Sequence, residues 1–227
     1  MNAVIEAQGL TKEYPSGEGC DRVLREVGLT VRRGETCLLL GPSGSGKTTL
    51  LSILGCLLSP TAGTLAIAGD TVPFGDRAAL AELRRTRIGF VFQNSRLLPF
   101  ASAYDNVALA AANAGVPSAE LDGRIHGLLT AVKMERHRDK RPAELSGGMR
   151  QRIALARALV HQPVLVLADE PTAALDRHTG RTVVDLLLEH SRSQAAGLIV
   201  VTHDEHLSDG FDRVIRLNEG ALTEDAR

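Results

Sequence analysis

The apolar and polar positions change period several times along the chain, and each change marks an element. Residues 3–8, 23–29 and 36–40 are rich in Val, Leu and Thr and are separated by the turn-forming segments PSGEG and RRG, which predicts three short strands. From Lys47 the spacing becomes helical, with Leu50, Leu51, Leu54 and Leu58 on one face and Pro60 as the stop. Strands at 64–67 and 88–92 bracket a predicted helix at 77–86. Residues 101–141 read as helical, punctuated at Gly115-Val116-Pro117. After Ser146 a helix is predicted over 147–160, then a continuous apolar strand at 164–168 that ends in Asp169-Glu170. The same alternation returns as a helix at 177–191, a strand at 198–202 and a last strand at 213–217, closed by the turn Asn218-Glu219-Gly220. Strands alternating with helices predict an α/β fold around a mostly parallel, buried sheet. The helical middle interrupts that alternation and reads as an inserted subdomain.

Composition narrows the function classes. Aromatic residues make up 3% of the 227, with no Trp, so the core is aliphatic and a stacking surface for single-stranded nucleic acid is disfavoured. Lys and Arg number 26 against 27 Asp and Glu, a net charge of -1, which lacks the positive excess that phosphate-backbone binding requires. No nucleic-acid partner is expected. No apolar run approaches the roughly 20 residues that cross a bilayer, and the N-terminus shows no secretory pattern, so the cytoplasm is the expected location. Cys20, Cys37 and Cys56 have neither CxxC nor zinc-ligand spacing and are expected as reduced thiols.

The chemistry-bearing residues begin with Gly41, Pro42, Ser43, Gly44, Ser45, Gly46, Lys47 and Thr48, a phosphate-binding loop between an apolar strand and a helix. Its glycines let backbone N–H groups curl around phosphate oxygens at a positively polarised helix start. Lys47 would neutralise the β and γ phosphates, and Thr48 would offer a hydroxyl to Mg²⁺. Thr49 stands where a dinucleotide fingerprint needs its third glycine, which disfavours that alternative. Asp169 ends an apolar strand, where a carboxylate can reach the Mg²⁺ of a nucleotide held by a neighbouring strand's loop, and adjacent Glu170 can accept a proton from an attacking water. Alone, this pair reads equally as an exposed strand end. Ser146, Gly147 and Gly148 open a helix whose free N–H groups form a second anion-binding end. One ATP has no use for both ends of the same chain; two chains arranged head to tail could each close over the other's γ-phosphate.

With these motifs in this order, the chain resembles the nucleotide-binding subunits of ABC transporters over nearly its whole length. Tyr14 matches the aromatic that stacks on adenine, residues 41–49 the Walker A loop, Gln93 the Q-loop and residues 145–149 the signature. Residues 164–170 match Walker B, residues 173–176 with Asp176 the D-loop, and His203 the switch histidine. The resemblance implies a P-loop core at 1–93 and 151–227 carrying an N-terminal antiparallel β-subdomain, and a helical subdomain at 94–150. It implies ATP and Mg²⁺ as cofactors, Glu170, His203 and Gln93 in catalysis, and Thr48, Gln93 and Asp169 at the metal. Partners implied are a second copy of the chain, a separate transmembrane permease and a periplasmic adaptor, with the chain peripheral on the inner face of the cell membrane.

Two residues depart from the family pattern. Met149 replaces the usual signature Gln, and Ala173 stands where the D-loop often has Ser, which bears on cross-subunit communication through Asp176. The segment from Phe90 to Ala110 resembles the ATPases of lipoprotein release, macrolide efflux and DevA-type glycolipid export, which implies export of a lipidic or amphipathic substrate or periplasm-spanning efflux. Arg96, Leu97, Leu98, Phe100 and Tyr104 are then candidate contacts to the permease, although Leu97 and Leu98 would equally pack the helical subdomain. The basic run 136–141 reads as a solvated stretch. The alternatives are a soluble ABC ATPase of DNA repair or translation, which usually carries insertions, zinc cysteines or tandem cassettes missing from this sequence, and a regulatory, non-transport ATPase.

Overall fold

The structure, a computed structural model, describes residues 3–17, 19–173 and 175–224. Its centre is a six-stranded sheet made of β3 (Thr36–Leu40), β6 (Ile88–Val91), β7 (Leu165–Asp169), β8 (Gly197–Val201), β9 (Arg213–Asn218) and β10 (Ala221–Glu224), in the order β10-β9-β3-β8-β7-β6. All neighbours are parallel except β10, which returns antiparallel on β9. The residues explain why this sheet is central. On β3, Cys37 and Leu39 face one side while Leu38 and Leu40 face the other, and β7 and β8 repeat the division with Leu165, Leu167, Ile199 and Val201 against Val166, Ala168, Leu198 and Val200. Every one of these side chains is buried, so each strand needs a cover on both faces.

One cover is α1 (Lys47–Leu54) together with a second sheet, a four-stranded antiparallel one built from β1 (Ala3–Ser16), β2 (Gly19–Arg32), β4 (Ala62–Ile67) and β5 (Asp70–Thr71) in the order β2-β1-β4-β5. α2 (Arg77–Thr86) lies on the same side and is capped by Asp76, whose carboxylate accepts from the Ala78 and Ala79 N–H groups. The opposite cover is helical: α3 (Ala103–Asn113), α4 (Ser118–Ala131), α5 (Gly147–Leu159) and α6 (Arg177–Gln194). Val107, Ala111, Ile125 and Leu129 of the inserted segment share one continuous core with Ile153 and Leu155 of α5 and Val183 and Leu187 of α6. Buried Asn106 shapes the entry to α3, because its amide donates to the Leu98, Ala101 and Ser102 carbonyls while its oxygen accepts from the Leu98 N–H.

Five elements depart from the sequence expectation. β1 and β2 run far beyond residues 3–8 and 23–29, pairing as far as Tyr14 with Asp21 and Ser16 with Gly19. The added residues form a largely exposed ribbon held by backbone pairing and by ties such as Arg22 to Glu13 at 2.8 Å, so burial leaves no hydrophobic trace in their sequence. Helix α1 stops at Leu54, well before Pro60. There Gly55 lies so close to the Phe90 ring that a Cβ would sit 2.6 Å from it, and Cys56 turns left-handed at φ 56°. β5 and β10 were not foreseen; they are short polar strands that pair on sheet edges. Cys37 and Cys56 are buried thiols and Cys20 is exposed.

Close packing makes the glycines of β6 and α4 opposites. A Cβ at Gly89 would lie 2.3 Å from the Ala158 carbonyl oxygen, whereas Gly123 on α4 has open space around it. Gly89→Ala is expected to destabilise the chain by about 1–3 kcal/mol through overpacking, and Gly123→Ala to stabilise it by about 0.5–1 kcal/mol through helix propensity. Urea unfolding midpoints of the two variants should therefore move in opposite directions.

Candidate active site

Parallel strands leave all their C-terminal ends on one edge of the sheet, and the candidate residues collect there. β3 runs into the glycine loop, β6 into Gln93, β7 into Asp169 and Glu170, and β8 into His203. β8 lies between β3 and β7, so Asp169 is one strand further from the glycine loop than an immediate neighbour would be.

The loop's shape is imposed by its surroundings. Gly41 has φ 153°, and a Cβ there would meet the Leu217 carbonyl oxygen at 2.3 Å; Gly46, the N-cap of α1 at φ 101°, would meet the Val23 carbonyl oxygen at 2.9 Å. Neither position accepts a side chain, and so the backbone amides themselves line the turn. No side chain caps α1 and no acidic residue occupies its first turn, which leaves the positive end of the helix facing the loop. Lys47 Nζ donates to the Gly41 and Pro42 carbonyls at 2.7 and 2.8 Å, so the ammonium sits inside the loop. Ser45 Oγ is buried with no hydrogen-bond partner among the described residues, an orphaned polar atom in a cradle of amides. This donor set fits a phosphate chain.

At the end of β7 two adjacent carboxylates diverge. Glu170 adopts a left-handed conformation, φ 44°, while its N–H donates to the Val201 carbonyl at 2.9 Å. That turn aims the carboxylate at the end of β8: Oε1 is 2.9 Å from His203 Nδ1, and Oε2 accepts from the Thr202 hydroxyl at 3.2 Å. Glu170 is largely buried, His203 largely exposed. Asp169 faces the start of α1 instead. Its carboxyl pKa is raised by burial and then by the Glu170 charge, an effect partly offset by the Thr48 hydroxyl and the Lys47 ammonium. A carboxylate and a hydroxyl side by side are hard oxygen donors that fit Mg²⁺.

The remaining expected residues occupy three other places. Tyr14 is exposed on the β1–β2 ribbon, with Lys12 Nζ 5.2 Å from its ring centroid; the same ribbon brings Val23 and Leu24 against Gly46. Ser146 caps α5 by accepting from the Met149 N–H at 3.3 Å, and Gly148 packs beside Leu175 and Thr179. Asp176 caps α6, accepting from the His178 and Thr179 N–H groups, and its carboxyl pKa is held below the usual range first by the Thr179 hydroxyl and then by these backbone bonds. Among the described residues no hydrogen bond or ion pair joins Ser146, Gly147, Gly148 or Asp176 to the glycine loop of the same chain.

Of the permease-contact candidates, Phe100 is 72% and Leu98 39% exposed, and Leu109 of α3 adds a further exposed apolar side chain. Leu97 packs on the helical core and Tyr104 donates to Asp122 beneath the Arg138 guanidinium, so both are engaged within the chain. Arg138 and Lys140 of the basic run pair with Glu135, Asp122 and Glu144. Sequence reading passed over Thr202, Gln151 and Arg157. Thr202 is a polar residue at the end of an apolar strand, and Gln151 and Arg157 are polar residues on an otherwise apolar helix face, which is the signal that could have found them.

Among the described residues no helix is long and apolar enough to cross a membrane. The ABC transporter family model matches residues 24–173. The chain is 44% identical to the lipoprotein-releasing system ATP-binding protein LolD 1 of Caulobacter vibrioides, over 100% of this chain and 97% of that one. It is 40% identical to the macrolide export ATP-binding/permease protein MacB of Salmonella typhimurium, with 98% of this chain matched but only 34% of that longer protein. Among solved structures, the ATP-binding cassette MJ0796, seen as a dimer in a post-hydrolysis state bound to ADP and Pi, superposes with a TM-score of 0.90 at 37% identity, covering 97% of each chain. The sheet edge, the glycine loop and these likenesses agree: the chain belongs to the ABC transporter family, as its ATPase subunit.

Proposed function

We propose that the chain binds Mg-ATP on the glycine loop, pairs head to tail with a second copy and hydrolyses the nucleotide to drive a separate transmembrane permease. The observation that carries this reading is the Glu170–His203 pair, 2.9 Å apart, on the same sheet edge as an amide cradle containing Lys47 and an unpartnered serine. Gly41, Pro42, Ser43, Gly44, Ser45, Gly46, Lys47, Thr48 and Thr49 would hold the phosphates, with Tyr14 stacking on the base. Phosphate oxygens would replace the neutral carbonyls that now hold the Lys47 ammonium. Mg²⁺, when bound, neutralises charge on the phosphate oxygens, and Thr48, Asp169 and Gln93 would hold it. Glu170 accepts the proton of the water that attacks the γ-phosphorus, the bond to the β–γ bridging oxygen breaks, and ADP and phosphate leave. His203 holds the Glu170 carboxylate and would reach the γ-phosphate.

Ser146, Gly147, Gly148 and Asp176 would act across the dimer, which agrees with their lack of a described tie to their own loop and with the dimeric relative. Met149 and Ala173 leave those residues in place. Exposed Phe100, Leu98 and Leu109 would dock the permease. By analogy with the lipoprotein-releasing and macrolide export relatives, the transported substrate is lipidic or amphipathic; a periplasmic adaptor in the assembly and a place on the inner face of the cell membrane are what the family resemblance implies. A DNA-repair, translation or purely regulatory role is less well supported, because the full-length likeness is to a transporter ATP-binding protein. We read 94–150 as the helical subdomain and 1–93 with 151–227 as the core.

Glu170→Gln is expected to retain ATP affinity while turnover falls by about 10²–10⁴, the usual size of a general-base contribution. Light scattering should then find the variant dimeric with ATP and monomeric without it; turnover near the parental rate would refute the base assignment. Lys47→Ala is expected to weaken nucleotide binding in calorimetry, and unchanged affinity would remove its phosphate role. Asp169→Asn tests the raised carboxyl pKa. A folded-state value above the unfolded one means that folding disfavours the ionised form, a cost absent at pH below the ordinary carboxylate range and complete above the raised value. The nucleotide-free variant is therefore expected to unfold at higher temperature than the parent at pH 7, with the advantage gone in acid, while losing the stabilisation that Mg-ATP gives the parent.

A further inference from the structure

The segment that carries Gln93 is fastened from both flanks by one helix. Before it, buried Gln151 of α5 donates Nε2–H to the Phe92 carbonyl at 3.0 Å. After it, the Arg157 guanidinium, also on α5, donates to the Ser95 carbonyl at 2.9 Å and the Arg96 carbonyl at 2.7 Å. Gln93, between these anchors, is exposed. Arg96 is held in a left-handed conformation at φ 46°, which is uncommon for a residue with a side chain. Its own guanidinium lies 4.7 Å from the Phe92 ring, and Phe92 stacks on Phe90 with centroids 4.3 Å apart. The Phe90 ring in turn abuts Gly55, where the helix that begins at Lys47 ends.

Arg157 is an unusual choice for a structural filler. It is half-buried, burial pushes its pKa down from the ordinary value, and among the described residues no carboxylate pairs with it. A desolvated guanidinium without an anion is costly, and a fork of planar donors is the group that can grip two successive carbonyls. Both grips fall on the strained turn after Gln93.

We propose that Gln151 and Arg157 are positioning residues for Gln93, fixing its backbone from either side so that its side chain meets the nucleotide at a set distance from the glycine loop. The inference rests on the assignment of Gln93 to the hydrolysis site. Because Gln151 and Arg157 belong to the helix that Ser146 opens, they also tie the placement of Gln93 to the orientation of that helix. A shift of α5 relative to the sheet moves both flanks of Gln93 together.

Gln151→Met keeps the side-chain length and removes the donor, and Arg157→Lys keeps the charge and removes the fork. Each is made alone and in a Gln93→Ala background, with steady-state ATP hydrolysis, calorimetric ATP affinity and the unfolding midpoint measured for all. Each single change is expected to lower kcat roughly tenfold, as a misplaced reacting group does, with ATP affinity held within about twofold. In the Gln93→Ala background neither change is expected to lower kcat further, because residues that act as one unit are not additive. Parental kcat in both single variants, or an equal fold-loss in the two backgrounds, would overturn the proposal. Should Arg157→Lys fail to fold, Gln151→Met carries the same comparison. Gln93→Ala with parental turnover would overturn the assignment of Gln93 itself and this inference with it, whereas a Gln93-dependent enzyme with additive losses overturns the inference alone.

Discussion

Burial of the central strands on both faces is the constraint from which the site follows. β3, β7 and β8 have apolar side chains on each side, so no charged group can be placed along their length without losing its solvation. Polar chemistry is therefore confined to strand ends. Parallel pairing then sets four of those ends on one edge, and the glycine loop, the two carboxylates, His203 and Gln93 lie within a few residues of them. The clustering of catalytic candidates is thus a result of core packing, and the local sequence at each end needs to supply only a turn and a functional group.

That edge also holds conformations and charges that folding alone would avoid. Glu170 is turned left-handed, Ser45 Oγ is buried without a partner among the described residues, and Asp169 sits beside a second carboxylate in a partly desolvated place. The last two are costs of desolvation and like charge in the free chain, which a ligand of complementary polarity offsets, whereas the backbone turn at Glu170 is independent of any ligand. A bound nucleotide with its cation would answer both, and would thereby stabilise the subunit that binds it.

Much of this was legible in the sequence because buried parallel strands and glycine-lined loops leave strong traces. Residues 164–168 are continuously apolar, and the pattern from Gly41 to Thr48 depends on backbone geometry that few other sequences meet. The helix Arg77–Thr86 was expected with its observed ends, and in the structure Asp76 caps its start. The exposed β1–β2 ribbon, β5 and β10 were not legible, since edge and ribbon strands are held by backbone pairing and leave no period in the side chains. The early end of α1 was hidden for another reason: it falls at Gly55, which packs against the Phe90 ring over thirty residues away in the chain, and not at Pro60. Gln151 and Arg157 were overlooked because their partners are carbonyl oxygens, which every residue has.

The three thiols divide in a way that bears on how the subunit withstands oxidants. Burial raises Cys37, near the start of β3, to about 12 and Cys56, just past α1, to about 11, so neither ionises near neutral pH. Only the thiolate reacts readily with peroxides and alkylating agents, and the two buried sulfurs are therefore chemically silent. Cys20, exposed on the ribbon two residues from Arg22, is left as the accessible sulfur. A reporter group attached there would stand beside Tyr14, because Cys20 pairs with Pro15 across the ribbon.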